Sequence, residues 1–476
     1  MASIIINTND MAEKELTDII TSAKSSGFET TRNTDSLDVF CTNRFDIPKL
    51  NAWNIYKGKI KYHKKTARVR HLSSIAVPAA ASKIPNYPNC FNMNQIAKIY
   101  SIPTPSNQKY VVGVISFGGG LYGNLSNNGI LTGGDVQSYW TALGIPTSKQ
   151  PTVIIQPLPG ARNSPNINDY GATMENTLDV ETIGGACPSS NLTIILYIAP
   201  ETETFYGVLS YIYKKKVNGM SPNLISCSWG LPEIYVSKND LTSSNTILQT
   251  MTSKGINICV ATGDDGSNDG VGGSGNYVDF PSSSPYVTAV GGTSLKCPNF
   301  VYDSHTSETT WSTTGGGVST KFTKPSYQSS ITATGRSTPD IASCADPKTG
   351  VIYYIRGTYQ VIGGTSVAAP TVAGYLAAIG AKTFINPIIY SAKSECYNDI
   401  LSGSNGSYSA KVGYDNCTGR GSINGISFKS LINPFVHRSY IRQVPHAAGT
   451  SSFTVSNYVS IYNIPPPSGK PYVVAV

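Results

Sequence analysis

The sequence predicts an α/β fold, a parallel sheet flanked by helices, with a small α+β unit ahead of it. Three observations carry this reading. Short apolar runs of strand length alternate with helix-length stretches from Phe91 onward, the pattern of parallel strands joined by helical crossovers. Apolar residues make up 40% of the 476, enough for a large core. Charged residues are only 13%, while Gly (45), Pro (29) and Tyr (29) are plentiful. That composition excludes a coiled coil and a charged disordered chain. No apolar run reaches the roughly 18 residues of a membrane span, so no membrane partner is expected.

Residues 1–88 read as one unit with a linker. Ala12 to Ser25 predicts a helix, and Phe28–Cys41 and Ile55–Tyr62 alternate as strands do. Ser73–Tyr87, rich in Ala, Ser and Pro, reads as the linker. Residues 89–430 form the main domain. Tyr110–Phe117, Leu192–Ile198, Leu224–Cys227, Ile256–Ala261 and Tyr286–Val290 predict buried strands. Glu175–Gly184, Thr204–Lys215, Thr246–Ser253 and Val367–Ala381 predict helices. Ligand sites in such sheets lie beyond the carboxyl ends of the strands. Residues 431–476 are an extension. Its last stretch, 453–476, aligns without gaps to 91–114 and is identical at 11 of 24 positions. It reads as the opening of a second, unfinished copy of the main domain, or as a tail that pairs with a sheet edge.

The net charge is +8. Lys57, Lys59, Lys61, Lys64, Lys65, Arg68 and Arg70 cluster with no acid among them. No nucleic-acid-binding motif accompanies them, so a solvated face or a detachable segment is favoured and no nucleic acid partner is expected. The nine cysteines include no Cys-x-x-Cys pair, which argues against zinc. The first residues lack the basic start and apolar stretch of a secretory signal.

Gly363-Gly364-Thr365-Ser366-Val367-Ala368-Ala369-Pro370 places a serine at a glycine-rich strand-to-helix junction. Glycine permits positive φ and close approach. A helix N-terminus stabilises developing negative charge. Pro370 is expected in the first turn, where a missing N–H matters least. By itself the string reads equally as a nucleophile or as an ordinary N-cap. A serine nucleophile needs a base. The five histidines are His63, His71, His305, His437 and His446, and none falls between residues 72 and 304. A Ser-His-Asp triad along the first sheet strands is therefore excluded.

Carboxylates are the alternative. Glu175 and Asp179 are four apart, on one face of the predicted helix. If such a pair shares a proton, it titrates as a unit, and one member can then accept a proton from Ser366 in acid. The competing reading is a solvated acidic face. Asp264 follows an apolar strand in Gly263-Asp264-Asp265-Gly266. Protonated, it would donate to an oxyanion; otherwise it belongs to a turn. Two Gly-x-Gly-x-x-Gly strings, 118–123 and 270–275, neither open into a helix nor end in Gly-Lys-Ser/Thr, which sets nucleotide binding aside.

Taken in chain order, the blocks resemble one family. Glu175-x-x-x-Asp179, Ser226-Cys227-Ser228-Trp229-Gly230, Gly263-Asp264, Asp279-Phe280-Pro281, Thr314-Gly315-Gly316-Gly317, Arg336-Ser337-Thr338-Pro339-Asp340 and Gly364-Thr365-Ser366 are similar to the motifs of the sedolisins. These are serine-carboxyl peptidases on a subtilisin-like fold. The resemblance covers about 91–430. It implies that Ser366 attacks, Glu175 is the general base, Asp179 supports it and Asp264 stabilises the oxyanion. It also implies a peptide substrate, an acidic optimum and a location outside cells or in an acidic compartment. The alternative is a catalytically inactive relative that only binds peptides.

Asp399-Ile400 and Lys411-Val412-Gly413-Tyr414-Asp415 read by themselves as turn aspartates or as an oxygen-rich cation site. The resemblance implies one Ca²⁺, held by the side chains of Asp399 and Asp415 and the carbonyls of Ile400, Lys411 and Gly413. It further implies that residues 1–85 are the second half of a prosegment removed in acid, with cleavage expected within Ser73–Asn89.

Overall fold

The structure is a computed structural model. It describes residues 83–166, 171–271 and 274–432, with the backbones of five strands nearer the N-terminus. The helix expected at Ala12–Ser25 and the repeat at 453–476 lie outside the described residues.

The five N-terminal strands are β1 (Ala2–Asn7), β2 (Glu29–Arg32), β3 (Ser36–Cys41), β4 (Ile60–Lys65) and β5 (Ala67–Arg70). The main domain begins with α1 (Met93–Ile99), β6 (Tyr110–Phe117), β7 (Asn124–Leu125), β8 (Ile130–Thr132), α2 (Gly134–Ala142) and β9 (Thr152–Pro157). It continues through α3 (Ala172–Ala186), β10 (Leu192–Ala199), α4 (Phe205–Lys214), β11 (Leu224–Cys227), β12 (Trp229–Pro232), α5 (Lys238–Ser253) and β13 (Asn257–Ala261). Then follow β14 (Asp279–Phe280), β15 (Thr288–Lys296), β16 (Ser307–Thr310), β17 (Gly317–Thr323), β18 (Gly335–Thr338) and β19 (Ile341–Cys344). The hairpin β20 (Val351–Ile355) and β21 (Thr358–Gly364) leads into α6 (Thr365–Ile379). The end carries α7 (Asn386–Ser391), β22 (Tyr397–Asn398), β23 (Ser422–Ile423) and α8 (Gly425–Ile432).

The large sheet runs β22-β23-β19-β15-β13-β11-β6-β10-β9-β8-β7. Every neighbouring pair from β9 to β19 is parallel. Successive residues of a strand face opposite sides, so each strand feeds two cores. Val112 and Val114 of β6 join Leu196, Leu178, Ile183 and Val372, under α3 and α6. Val111 and Ile115 join Ile195, Val208, Leu248 and Met251, under α4 and α5. Strands covered on both faces read as continuous apolar runs, and all eight residues of β6 are buried.

In the main domain, two boundaries differ most from the sequence reading. Helix α5 starts eight residues before the expected Thr246. Its first half, Lys238–Asn245, buries only Leu241 and Ser244, too little for a periodic signal, but Ser237 caps it by accepting from Asp240 N. Strand β15 starts at Thr288 and runs to Lys296, because Thr293–Lys296 pair with β16.

Candidate active site

The carboxyl ends of β11 and β13 and the N-termini of α3 and α6 meet at one place. Helix α6 is buried along its whole length, including Ser366. Gly364 precedes it with φ +124°, a backbone region that L side chains avoid. A Cβ on Gly363 would fall 2.3 Å from Ala345 O and from Pro347 N. The glycine pair therefore lets the strand turn into the helix beneath neighbouring backbone. Pro370 does not sit in the first turn as expected, because the helix begins at Thr365 and makes proline an interior residue. Its missing N–H would have bonded the carbonyl four residues back, which is that of Ser366. The Ser228 hydroxyl lies 3.5 Å from this carbonyl.

Helix α3 is likewise buried at every position. Glu175 and Asp179 are both fully buried, so the solvated-face reading fails. Asp179 Oδ1 accepts a hydrogen bond from Ser228 Oγ at 2.7 Å. Burial pushes the Asp179 carboxyl well above the usual carboxylate range, with the Ser228 hydrogen bond pulling the other way. The thiol of Cys227, one residue before Ser228, is pushed up to about 12, chiefly by burial and further by the charges of Asp179, Glu175 and Asp279. The charges of these three carboxyls therefore reach the end of β11. Helices α3 and α6 touch through Gly374, where a Cβ would stand 2.5 Å from Ala186 Cβ.

Asp264 lies just past β13, after Gly263 with φ +96°. It is fully buried. Its Oδ1 accepts from Thr365 N and from Thr365 Oγ1, each at 2.9 Å. The Thr314–Gly317 run packs against this turn: Thr262 Oγ1 donates to Gly315 O at 2.9 Å, and a Cβ on Gly315 would strike Thr262 O at 1.9 Å. The sequence-predicted residues Glu175, Asp179, Asp264 and Ser366 are thus held by four elements converging on the start of α6. Two connecting residues, Ser228 and Thr365, carried no signal of their own. Both lie inside motifs the sequence displays, but only the packing gives them partners.

The N-terminal strands border this centre. β4 pairs antiparallel with β12, Lys65 opposite Trp229 and Lys64 opposite Gly230. β5 pairs antiparallel with β21, Ala67 opposite Gly364 and Arg68 opposite Gly363. The segment therefore bridges from the Ser228-Trp229-Gly230 edge to the strand that ends two residues before Ser366.

The expected cation residues lie apart from this centre. Asp399 Oδ2 accepts from Gly413 N at 2.8 Å, while its Oδ1 is buried without a hydrogen-bond partner among the described residues. Asp415 Oδ1 accepts from Cys417 N and Thr418 N, and Oδ2 from Lys411 N. Burial raises the Asp415 carboxyl. Lys411 is exposed and Ile400 buried. All eight described cysteines are buried free thiols. No described helix is long and apolar enough to cross a membrane.

The subtilase family profile matches residues 162–385, which hold Glu175, Asp179 and Asp264 on one side and Ser366 on the other. Kumamolisin from Bacillus sp. (strain MN-32) is 32% identical over 375 residues, covering 73% of this chain and 64% of that protein. Sedolisin from Pseudomonas sp. (strain 101) is 30% identical over 381 residues, covering 73% and 62%. The chain therefore spans somewhat under two thirds of the length of these relatives. The solved structure of Pseudomonas sedolisin, a serine-carboxyl proteinase, superposes with a TM-score of 0.62 at 27% identity, covering 74% of this chain and 99% of that one. By sequence, fold and order of motifs, the chain belongs to the sedolisin family.

Proposed function

We propose that this protein is an acid-active serine peptidase in which carboxyl groups replace the histidine of a conventional triad. The observation that carries the proposal is the linkage of Asp179 through Ser228 to the Ser366 backbone, with Asp264 tied to the adjacent Thr365. In this reading Ser366 Oγ attacks the peptide carbonyl and Glu175 takes its proton. Asp179, one turn along α3, holds the proton balance of the pair. Protonated Asp264 donates a hydrogen bond to the tetrahedral oxyanion. As the C–N bond breaks, Glu175 returns the proton to the leaving amine. Water then attacks the acyl-serine, losing its proton to Glu175; the C–Oγ bond breaks, Glu175 returns that proton to Ser366 Oγ, and the carboxylic product leaves.

Acid suits this arrangement, because Asp264 acts only while protonated. The substrate is a peptide or protein. The location that fits is outside the cell or in an acidic compartment. Residues 1–88 act as a detachable leader of a zymogen.

The loop at 399–415 suits a calcium ion. Asp399 Oδ1 is a buried oxygen without a partner among the described residues, and Asp415 adds a second carboxylate, an oxygen set that matches a hard cation. The side chains of Asp399 and Asp415, with the carbonyls of Ile400, Lys411 and Gly413, would hold one Ca²⁺. Bound there, the ion supplies loop crosslinking and no part of the bond cleavage.

The test is peptide hydrolysis across pH 3–8 by the wild type, Ser366→Ala and Glu175→Gln. Activity confined to acid, abolished in the first variant and cut by about 10²–10⁴ in the second, is expected. A flat profile to neutral pH, or full activity in Ser366→Ala, would defeat the proposal.

A further inference from the structure

Thr365 makes three hydrogen bonds, two of them with backbone N–H groups that can only donate. Gly263 N–H lies 3.1 Å from Thr365 Oγ1, and an amide can only donate. The hydroxyl therefore accepts from Gly263 and has one hydrogen left to give. That hydrogen points to Asp264 Oδ1 at 2.9 Å. The same oxygen also accepts Thr365 N–H at 2.9 Å. A carboxyl oxygen that already accepts two hydrogen bonds is the carbonyl-like one, because a hydroxyl oxygen of a neutral acid is a poor acceptor. With the hydroxyl donating to Oδ1, the proton of a neutral Asp264 resides on Oδ2.

The geometry assigns Thr365 as a positioning residue that selects the Asp264 oxygen carrying the proton and so aims that proton toward the oxyanion. The residue is suited to the task. It is fully buried and opens the helix whose second residue is Ser366. Its methyl group packs near Gly292, where an added Cβ would stand 3.5 Å from Thr365 Cγ2. Hydroxyl and methyl share one Cβ, so the hydroxyl cannot turn away from Asp264 without moving the methyl. Donor and nucleophile are thereby tied to the same turn of α6. The inference rests on the proposed function for its catalytic consequence, but the choice of oxygen rests on hydrogen-bond geometry alone.

Two measurements test it on the full chain. Thr365→Val keeps the shape and removes the hydroxyl; Thr365→Ser keeps the hydroxyl and removes the methyl. In acid, kcat on a peptide substrate should fall about 10–100-fold in Thr365→Val with KM changed less than about threefold, a loss below that of deleting an oxyanion donor outright. Thr365→Ser should recover most of it. Wild-type kcat in Thr365→Val, or equal losses in both variants, would overturn the assignment. The second readout needs no activity. The C=O stretch of protonated Asp264 is isolated by infrared difference against Asp264→Asn. Losing a donor to Oδ1 should move that band to higher frequency in Thr365→Val and leave it nearly in place in Thr365→Ser. A band that does not move in Thr365→Val overturns the assignment even if the wild type cleaves nothing, an outcome that would separately end the peptidase proposal. Should Thr365→Val not fold, Thr365→Ala reports the same loss.

Discussion

Ser228 donates a hydrogen bond of 2.7 Å to Asp179, joining the end of a central strand to the middle of a buried helix. The same hydroxyl lies near a carbonyl of a third element, α6. Pro370 deprives the Ser366 carbonyl of its helical donor, and Ser228 lies 3.5 Å from that carbonyl. One hydroxyl thus stands between the carboxyl of Asp179 and the backbone of Ser366.

The first prediction concerns Ser228→Ala. Its hydrogen bond holds the Asp179 carboxyl down against burial, so removing it should raise that carboxyl further. The acidic limb of the kcat profile should shift to higher pH, and kcat at the optimum should fall by about tenfold. Hydrolysis measured from pH 2.5 to 7 checks this. A superimposable profile would show that Ser228 has no part in setting the protonation of the pair.

Much of this was legible in the sequence, for physical reasons. Central strands such as Val111–Ser116 and Leu192–Ala199 are buried on both faces, so composition alone marks them. The junction before Ser366 is legible because few sequences other than glycine fit beside Ala345 O and Pro347 N. The burial of Glu175 and Asp179 was not legible. An i, i+4 acid pair looks the same in solvent as in a core, and only the packing of α3 against α6 decides. The place of Pro370 was missed because nothing in the string marks where the helix starts. The roles of Ser228 and Thr365 depend on pairs more than 45 residues apart in sequence, as the 49 between Ser228 and Asp179 and the 101 between Thr365 and Asp264 illustrate.

A second prediction follows from the strand register. The β4–β12 register ends with Lys65 opposite Trp229, and the β5–β21 register with Ala67 opposite Gly364. Trp229 follows Ser228, and Gly364 precedes Thr365 and Ser366. If the leader is cut by its own domain, the first cut should fall between Lys65 and Ala67. Acid incubation followed by N-terminal sequencing should find a new terminus at residue 66 or 67, absent in Ser366→Ala. A first terminus within 73–89 instead would favour the linker composition over the register.

The third prediction concerns calcium. An ion that binds only the folded chain raises stability by RT ln(1 + [L]/Kd), about 2.7 kcal/mol at 100 times Kd. Millimolar Ca²⁺ should raise the melting temperature by a few degrees over a chelated sample. Asp399→Asn should remove most of that response, since it withdraws charge from the buried oxygen that lacks a partner. Identical melts with Ca²⁺ and with chelator would refute the site.

The last prediction is that the fold itself is more stable in acid. Asp179 and Glu181 are fully buried and Glu308 nearly so, and burial raises the carboxyl of each. For Glu308, hydroxyl donors oppose the rise: Tyr100 at 2.7 Å, Thr293 at 2.6 Å and Ser422 at 2.8 Å. Each group binds its proton more tightly in the folded chain than in the unfolded one. The stability this gives is complete below the ordinary carboxyl range and is lost as pH climbs through the raised folded value. The melting temperature should therefore fall between pH 4 and pH 7. Glu308→Gln isolates one contribution. The amide oxygen can accept from Tyr100 and Thr293, and the amide nitrogen can donate to Ser422 once that hydroxyl turns. The variant should melt like the wild type at pH 4 and above it at pH 7. Thermal melts at half-unit pH steps decide, and a variant that melts below the wild type at pH 7 would mean that the ionised carboxylate, held by its hydroxyl donors, is the stabilising form.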